Sequence, residues 1–312
     1  MKLSRNNYHF AVRRAQNAIN YTESAKLVSK IGTCDLFNGI EKICKDKKTD
    51  ITPTVDGVNG TQNISNHFKD IYEKLYNEQD DISQDIIDDV YGGIVSDKES
   101  AILNANLFTS DLVKIAVKKL KADKSDVSGQ FTSDCLKSAP ELFFSHLANL
   151  FKAFLTHGYI CQDLIICALC PIVKDPNGDI SSSKNYRGIA ISSLILKVFD
   201  NCLLLLYGHL LSNDALQFGF QKGVSTVQCT WAVHETISHY LRSGSEVFCC
   251  LLDFSKAFDK VNFNQLFSKL AERQLPAIVL RLILFIYLNQ SCFVKWNSVE
   301  SEQFKVKNGV RI

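Results

Sequence analysis

The sequence predicts a mixed α+β fold, and three observations predict it. Two strand-like runs, residues 164–173 and 187–191, flank a DPNGD turn and read as a hairpin. Residues 247–252 hold six positions without a charge, long enough to cross a sheet covered on both faces. Elsewhere apolar residues recur at the helical period. With 312 residues, 46% of them hydrophobic and 22% charged, the chain is long enough for one large domain or two ordinary ones, and it can bury a core.

In chain order, residues 1–100 are polar and helix-prone, broken by the turn-rich ITPTVDGVNGTQ at 51–62. Lys2, Arg5, Arg13 and Arg14 lie in an acid-free start. Because Tyr8, Phe10 and Val12 continue into the next helical pattern, this reads as a basic helix rather than a targeting presequence. His67, Phe68, Ile71, Tyr72, Leu75 and Tyr76 form one apolar helix face, and the acidic stretch 78–89 reads as a solvated loop and short helix. Thr109 or Ser110 caps a helix whose Leu112, Ile115, Ala116 and Leu120 face inward. Lys114, Lys118, Lys119, Lys121 and Lys124 make the densest basic cluster, equally compatible with a solvated face and with phosphate contacts.

Residues 140–154 read as a helix, then come the strand to Val173, Lys174 and the hairpin. Helices follow at 194–211, 226–242, 264–273 and 276–288, with strands at 292–296 and 302–307. His234 and His239 fall on different sides of their helix, so no metal pair is expected there. The eleven cysteines are scattered, several in apolar runs (Cys167, Cys170, Cys202, Cys249, Cys250), which points to buried thiols in a reducing compartment. Cys167 and Cys170 form a CxxC without a second ligand pair, so zinc is not expected. No stretch reaches the roughly 20 apolar residues of a membrane span, and the expected location is intracellular, nuclear or cytoplasmic. The net charge of +2 and pI near 7.9 leave any nucleic-acid footprint to local clusters.

The most informative residue is Asp253, at the end of the apolar run and just before a Ser-Lys-Ala-Phe-Asp-Lys turn. An isolated aspartate there is commonly a helix N-cap. At the rim of an open sheet it instead faces a cleft suited to ligands and metals.

The surrounding LLDFSKAFDKVN resembles the reverse-transcriptase motif that carries the first catalytic aspartate, in the style of non-LTR retrotransposons and group II introns. Three further stretches agree in the family's order: CPIVKDPNGDISSSKNYRGIAISSLILKVFD at 170–200, QFGFQKGVST at 217–226 and KNGVRI at 307–312. Weaker likeness runs back through KLKADKSDVSGQFTSDCLK. The resemblance implies the fingers and first half of the palm of a right-hand polymerase over 101–312, preceded by a helical linker region over 1–100. It implies an RNA template, a DNA primer and dNTP as partners, with Mg2+ as cofactor. Asp253 and the backbone carbonyl of Phe254 would be metal ligands. Ser255, Lys256 and Ala257 would offer amides to the triphosphate, and Phe258 would exclude a 2′-hydroxyl. Lys174 and Arg187 would close on the triphosphate, Arg with a bidentate fork. Gln217, Phe220 and Lys222 would brace the fingers and touch the template. Asp259 reads as structural, bonding backbone near the turn.

Departures accompany the matches. Gly188 stands where the family commonly has Pro, which loosens the strand presenting Arg187. Gln221 and Val224 replace basic residues, which weakens strand tracking. The family's second motif, Asp-Asp on a hairpin, follows the GVR segment, whereas here the two Asp-Asp pairs are Asp80-Asp81 and Asp88-Asp89, far upstream. The expectation is a chain truncated before the second half of the palm and the thumb, unable to extend a primer alone because one carboxylate cannot hold two metals. The alternative is a non-enzymatic nucleic-acid-binding or protein-interaction remnant that self-associates through an exposed sheet edge. An aspartyl phosphatase would need Asp-x-Asp, and Ser255 occupies the second position.

Overall fold

The computed structural model describes residues 54–79, 81–96, 103–211, 214, 216–221 and 223–310. The basic helix expected at the start of the chain and Lys222 lie outside them. The fold is mixed α+β, as the periodicities predict.

Strands β1 (Thr54–Val55) and β2 (Val58–Asn59) make a tight hairpin. Asp56 and Gly57 between them have φ of 49° and 80°, the pair of positive values that a two-residue hairpin turn demands. Helix α1 (Thr61–Leu75) follows and buries Ile64, Phe68, Tyr72 and Leu75, spaced three or four apart. Helix α2 (Gln84–Ser96) comes from the acidic stretch.

Helix α3 (Ser110–Lys118) is capped by Thr109, whose side chain accepts from the Leu112 amide. Its buried residues are Val113, Ala116 and Val117, with Leu120 beyond, while Ile115 is exposed. The inward face is thus turned from the expected one, because α3 packs between two neighbours: α5 (Glu141–His157) and α7 (Leu194–Tyr207). The short α4 (Ser133–Lys137) precedes α5. Residues 162–165 form a helical turn, α6 (Gln162–Ile165), so the strand expected from Leu164 begins only at Cys167.

Strands β3 (Cys167–Val173) and β4 (Tyr186–Ile191) pair antiparallel, with Ile172 opposite Arg187 and Val173 opposite Tyr186. Helices α8 (Thr226–Arg242), α9 (Phe263–Glu272) and α10 (Ala277–Asn289) come next. Ser225 and Gln228 cap α8 reciprocally, and Asn262 caps α9. Strand β5 (Ser291–Trp296) then runs parallel to β3, with β6 (Val299–Glu300) and β7 (Phe304–Lys305) antiparallel along its other side.

Two apolar cores hold this arrangement. In the first, Phe108, Phe151 and Phe199 from separate segments meet with ring centroids 5.1–6.4 Å apart. In the second, Phe68 and Tyr72 of α1 pack with Tyr186 and Trp296 of the sheet. Helix α10 contributes to both, Leu282 to one and Leu284 to the other. Helix α1, in the region read as a linker, is therefore part of the sheet's apolar cover.

One expectation fails plainly. Residues 247–252 form no strand and are not buried: Phe248 is 91% and Leu251 95% exposed. A strand is stabilised only when backbone and side chains meet a partner. Among the described residues none runs beside this segment. Helix α8 just before it likewise buries no residue. Cys249 and Cys250 are consequently exposed, against expectation, and Cys170 is half-buried. Cys167, Cys202 and Cys292 are buried, and burial pushes the Cys202 thiol up to about 12.

Candidate functional site

The hairpin β3–β4 positions two of the expected residues. Side chains alternate across a strand, so Ile172 and Lys174 share a face with Arg187 and Ile189. All four are exposed, whereas Tyr186 on the other face is buried against α1. The hairpin loop is built from its own polar residues. Asn185 donates to the carbonyl of Asp175 at 2.9 Å and accepts from its amide at 3.1 Å, and Asp179 accepts from Ser181 twice. Lys174 Nζ donates to the Lys184 carbonyl at 2.9 Å. Its ammonium thus lies along the loop.

The loop is also tied to the β1–β2 turn. The Asp56 amide donates to the Ser181 carbonyl at 2.7 Å, and the Asp56 carboxylate accepts from the Ser183 amide at 3.0 Å and lies 2.9 Å from His67 Nε2. Its contact with His67, then those with Ser183, lower the Asp56 pKa to about 2.

Gly188 is closed from the inner side. A Cβ there would stand 3.0 Å from Cζ and 3.2 Å from the hydroxyl of Tyr72. The ring takes the space a side chain would need, so the strand is packed at this glycine and not loosened by it. The Tyr72 hydroxyl is buried with no hydrogen-bond partner among the described residues, and burial pushes its pKa well up.

Asp253 is exposed, and among the described residues it makes no ion pair or side-chain hydrogen bond. It is no helix cap, since Asn262 caps α9. Phe254 is also exposed. Ser255, Lys256 and Ala257 lie in an exposed turn, with Lys256 at φ 54°, and the helix begins only at Phe263. The expected entry from this turn directly into a helix is therefore delayed, and no helix terminus stands behind these three amides. Phe258 meets Phe220 edge to face, ring centroids 5.6 Å apart. Phe220 sits at φ 58°, and the neighbouring Gln217 side chain donates to the Gly219 carbonyl at 3.0 Å. Two stretches 38 residues apart in sequence thus touch through these rings.

Sequence reasoning missed the junction behind Phe258. The Tyr76 hydroxyl donates to Asp259 Oδ1 at 2.8 Å, so the Asp259 carboxylate meets a side chain rather than the backbone expected of it. Asn308, fully buried, donates to the carbonyls of Leu75 at 2.9 Å and Asp259 at 2.7 Å, and accepts from the Glu78 amide at 3.1 Å. The available signal was the i, i+4 aromatic spacing of Phe68, Tyr72 and Tyr76, together with the Asn-Gly at 308–309.

Metal donors are sparse. Two cations about 3.5–4 Å apart need several carboxylate oxygens between them. The described residues hold no group of three or more His, Cys, Asp or Glu side chains that could bind a metal. Asp81 pairs with Lys307 and Asp88 accepts from Gln84, both away from Asp253 in sequence. The described residues do not fit a two-metal centre.

The described residues thus bring together an exposed cationic hairpin, an exposed carboxylate and a turn whose Phe258 meets Phe220. Residues 173–312 match the family model of the reverse transcriptase (RNA-dependent DNA polymerase). This stretch is similar to that family, and the curated relatives it resembles are retrotransposon proteins. The chain is 27% identical over 161 residues to a probable RNA-directed DNA polymerase from transposon BS of Drosophila melanogaster, covering 49% of this chain and 17% of the relative. It is 27% identical over 165 residues to a putative 115 kDa protein in type-1 retrotransposable element R1DM of the same organism, covering 51% and 16%. The chain thus spans about a sixth of the length of these curated relatives.

Among the described residues no helix is long and apolar enough to cross a membrane.

Proposed function

We propose that this chain carries the fingers and first half of the palm of an RNA-directed DNA polymerase. In this reading the β3–β4 hairpin is the finger that grips an incoming dNTP through Lys174 and Arg187. The observation that carries it is their shared exposed face, because a triphosphate needs cations that converge and are not committed to carboxylates. The amides of Ser255, Lys256 and Ala257 would take further phosphate oxygens. Phe258, steadied by Phe220, would lie under the sugar and exclude a 2′-hydroxyl. Gln217, Phe220 and Lys222 would meet an RNA template annealed to its DNA primer.

Mg2+ is the proposed cofactor, with Asp253 and the Phe254 carbonyl as the ligands available. One carboxylate does not hold two metals, so the proposal is that the 312-residue chain by itself does not extend a primer. Primer extension on an RNA template with Mg2+ tests this. No incorporation is expected; incorporation that disappears in Asp253→Ala overturns it. A gel shift with primer–template at low salt is expected to show retention that weakens steeply as salt rises.

A second reading is favoured by one observation. The apolar stretch 247–254 is exposed, and such a segment pairs readily with another chain. A non-enzymatic interaction remnant that self-associates would use it.

A further inference from the structure

The turn holding Asp253 and Phe258 is free on its N-terminal side and tied on its C-terminal side. Among the described residues no strand pairs with residues 247–254, so no sheet before Asp253 fixes where its carboxylate lies. After Phe258 three chain segments converge. The Val310 amide donates to the Phe258 carbonyl at 2.9 Å, and the Gly309 amide to that of Val261 at 2.8 Å. The Lys307 amide donates to the Tyr76 carbonyl at 2.8 Å, closing the third side. Lys260 and Glu78 add an ion pair of 2.9 Å at the rim.

At the centre lie Tyr76, Asp259 and Asn308. Tyr76 is 8% exposed and Asn308 fully buried, so their polar groups are committed to this junction and not to water. Asn308 uses both amide hydrogens and its oxygen, on three different partners. Gly309, at φ 93°, lets the segments approach: a Cβ there would stand 3.0 Å from the Asp259 carbonyl oxygen, 3.2 Å from that of Phe258 and 3.2 Å from the Tyr76 ring. Burial first, and then the Asp259 charge, push the Tyr76 phenol up, so it remains a hydrogen-bond donor across the physiological range.

We infer that Tyr76, Asp259 and Asn308 are positioning residues for the candidate nucleotide site, and that helix α1, outside the matched segment, is a working part of it. The inference rests on the proposed reading of the site. Its physical basis is one-sided anchoring. A turn fixed at a single end takes its position from that end, so the two aromatic rings and Asp253 hold their places only as firmly as Asp259 is held.

The test uses the whole chain with Tyr76→Phe, Asn308→Ala and Asp259→Asn, and Arg187→Ala to probe the site itself. Arg281→Ala, which removes the guanidinium from the C-terminal carbonyls of α5, is the control for general destabilisation. Two quantities are read: amide hydrogen exchange at residues 258–261 and 309–310, and binding of a fluorescent 2′-deoxyadenosine triphosphate in the presence of Mg2+. Tyr76→Phe, which loses a hydrogen bond to a charged group, is expected to speed exchange about tenfold and to weaken nucleotide binding several-fold. Asp259→Asn keeps an acceptor and is expected to bind near the wild-type level. Arg281→Ala is expected to lower the melting temperature while leaving affinity unchanged. Unchanged exchange and affinity in Tyr76→Phe and Asn308→Ala, while Arg187→Ala abolishes binding, overturns the inference and leaves the reading intact. If the wild-type chain binds no nucleotide, the reading fails and takes the inference with it.

Discussion

The Tyr72 ring closes over Gly188, within 3.0 Å of where a Cβ would stand, and so seats the strand that carries Arg187 against helix α1. The contact joins the N-terminal region to the cationic hairpin by packing alone. Gly188→Ala is expected to cost about 1–3 kcal/mol, because the buried Tyr72 ring would have to shift to admit the methyl group. Urea unfolding checks this. A Tyr72→Leu background should absorb most of the penalty, and fully additive losses in the double variant would refute the contact.

Gly158 and Arg281 form a comparable pair in the helical core. Gly158 ends α5 at φ 63°, and a Cβ on it would collide with Arg281 Nε. The same guanidinium donates to the carbonyls of Leu155 at 2.6 Å and Thr156 at 3.1 Å, which a helix end otherwise leaves open. Arg281→Ala should destabilise by about 1–3 kcal/mol. Arg281→Lys should recover little, since an ammonium lacks the planar fork. Thermal melts of both variants decide the matter; full recovery by Lys would show that charge alone matters.

Asp56 gives a pH signature. Its folded pKa, about 2, lies below the ordinary value of 3.8, with the His67 contact as the leading cause. A depressed carboxylate pKa stabilises the fold fully above the unfolded value and loses that contribution as pH falls through the folded one. Stability from this contact should therefore be complete above about pH 4 and vanish toward pH 2. Asp56→Asn should flatten the stability–pH curve within that window and nowhere else. Because Asp56 is largely solvated, the effect should be small and should shrink in high salt. Chemical unfolding at about pH 5 and about pH 2.5, at low salt and at roughly 0.5 M salt, compares the two chains.

The exposed segment at 247–254 predicts concentration-dependent association. Phe248, Leu251, Leu252 and Phe254 are each 80% exposed or more, in a stretch that is apolar and uncharged up to Asp253. Leu251→Lys should shift sedimentation toward the monomer without changing the melting temperature, since the side chain supports no core. Identical association in the variant would remove the segment from consideration.

Local chemistry made much of this chain legible. Thr109 and the turn-rich stretch around Asp56 and Gly57 act where their side chains and backbone preferences dictate, and the β3–β4 hairpin follows from two strand-like runs around a turn-rich loop. The family motif was legible for a related reason: Lys174, Arg187, Asp253 and Phe258 lie in short contiguous stretches. What the sequence could not decide was partnership. Residues 247–252 have every local property of a buried strand, yet burial depends on a neighbour that local pattern does not supply. Likewise Tyr76, Asp259 and Asn308 each look ordinary in sequence, and only folding, by bringing segments some 50 to 230 residues apart into hydrogen-bonding distance, makes them one junction.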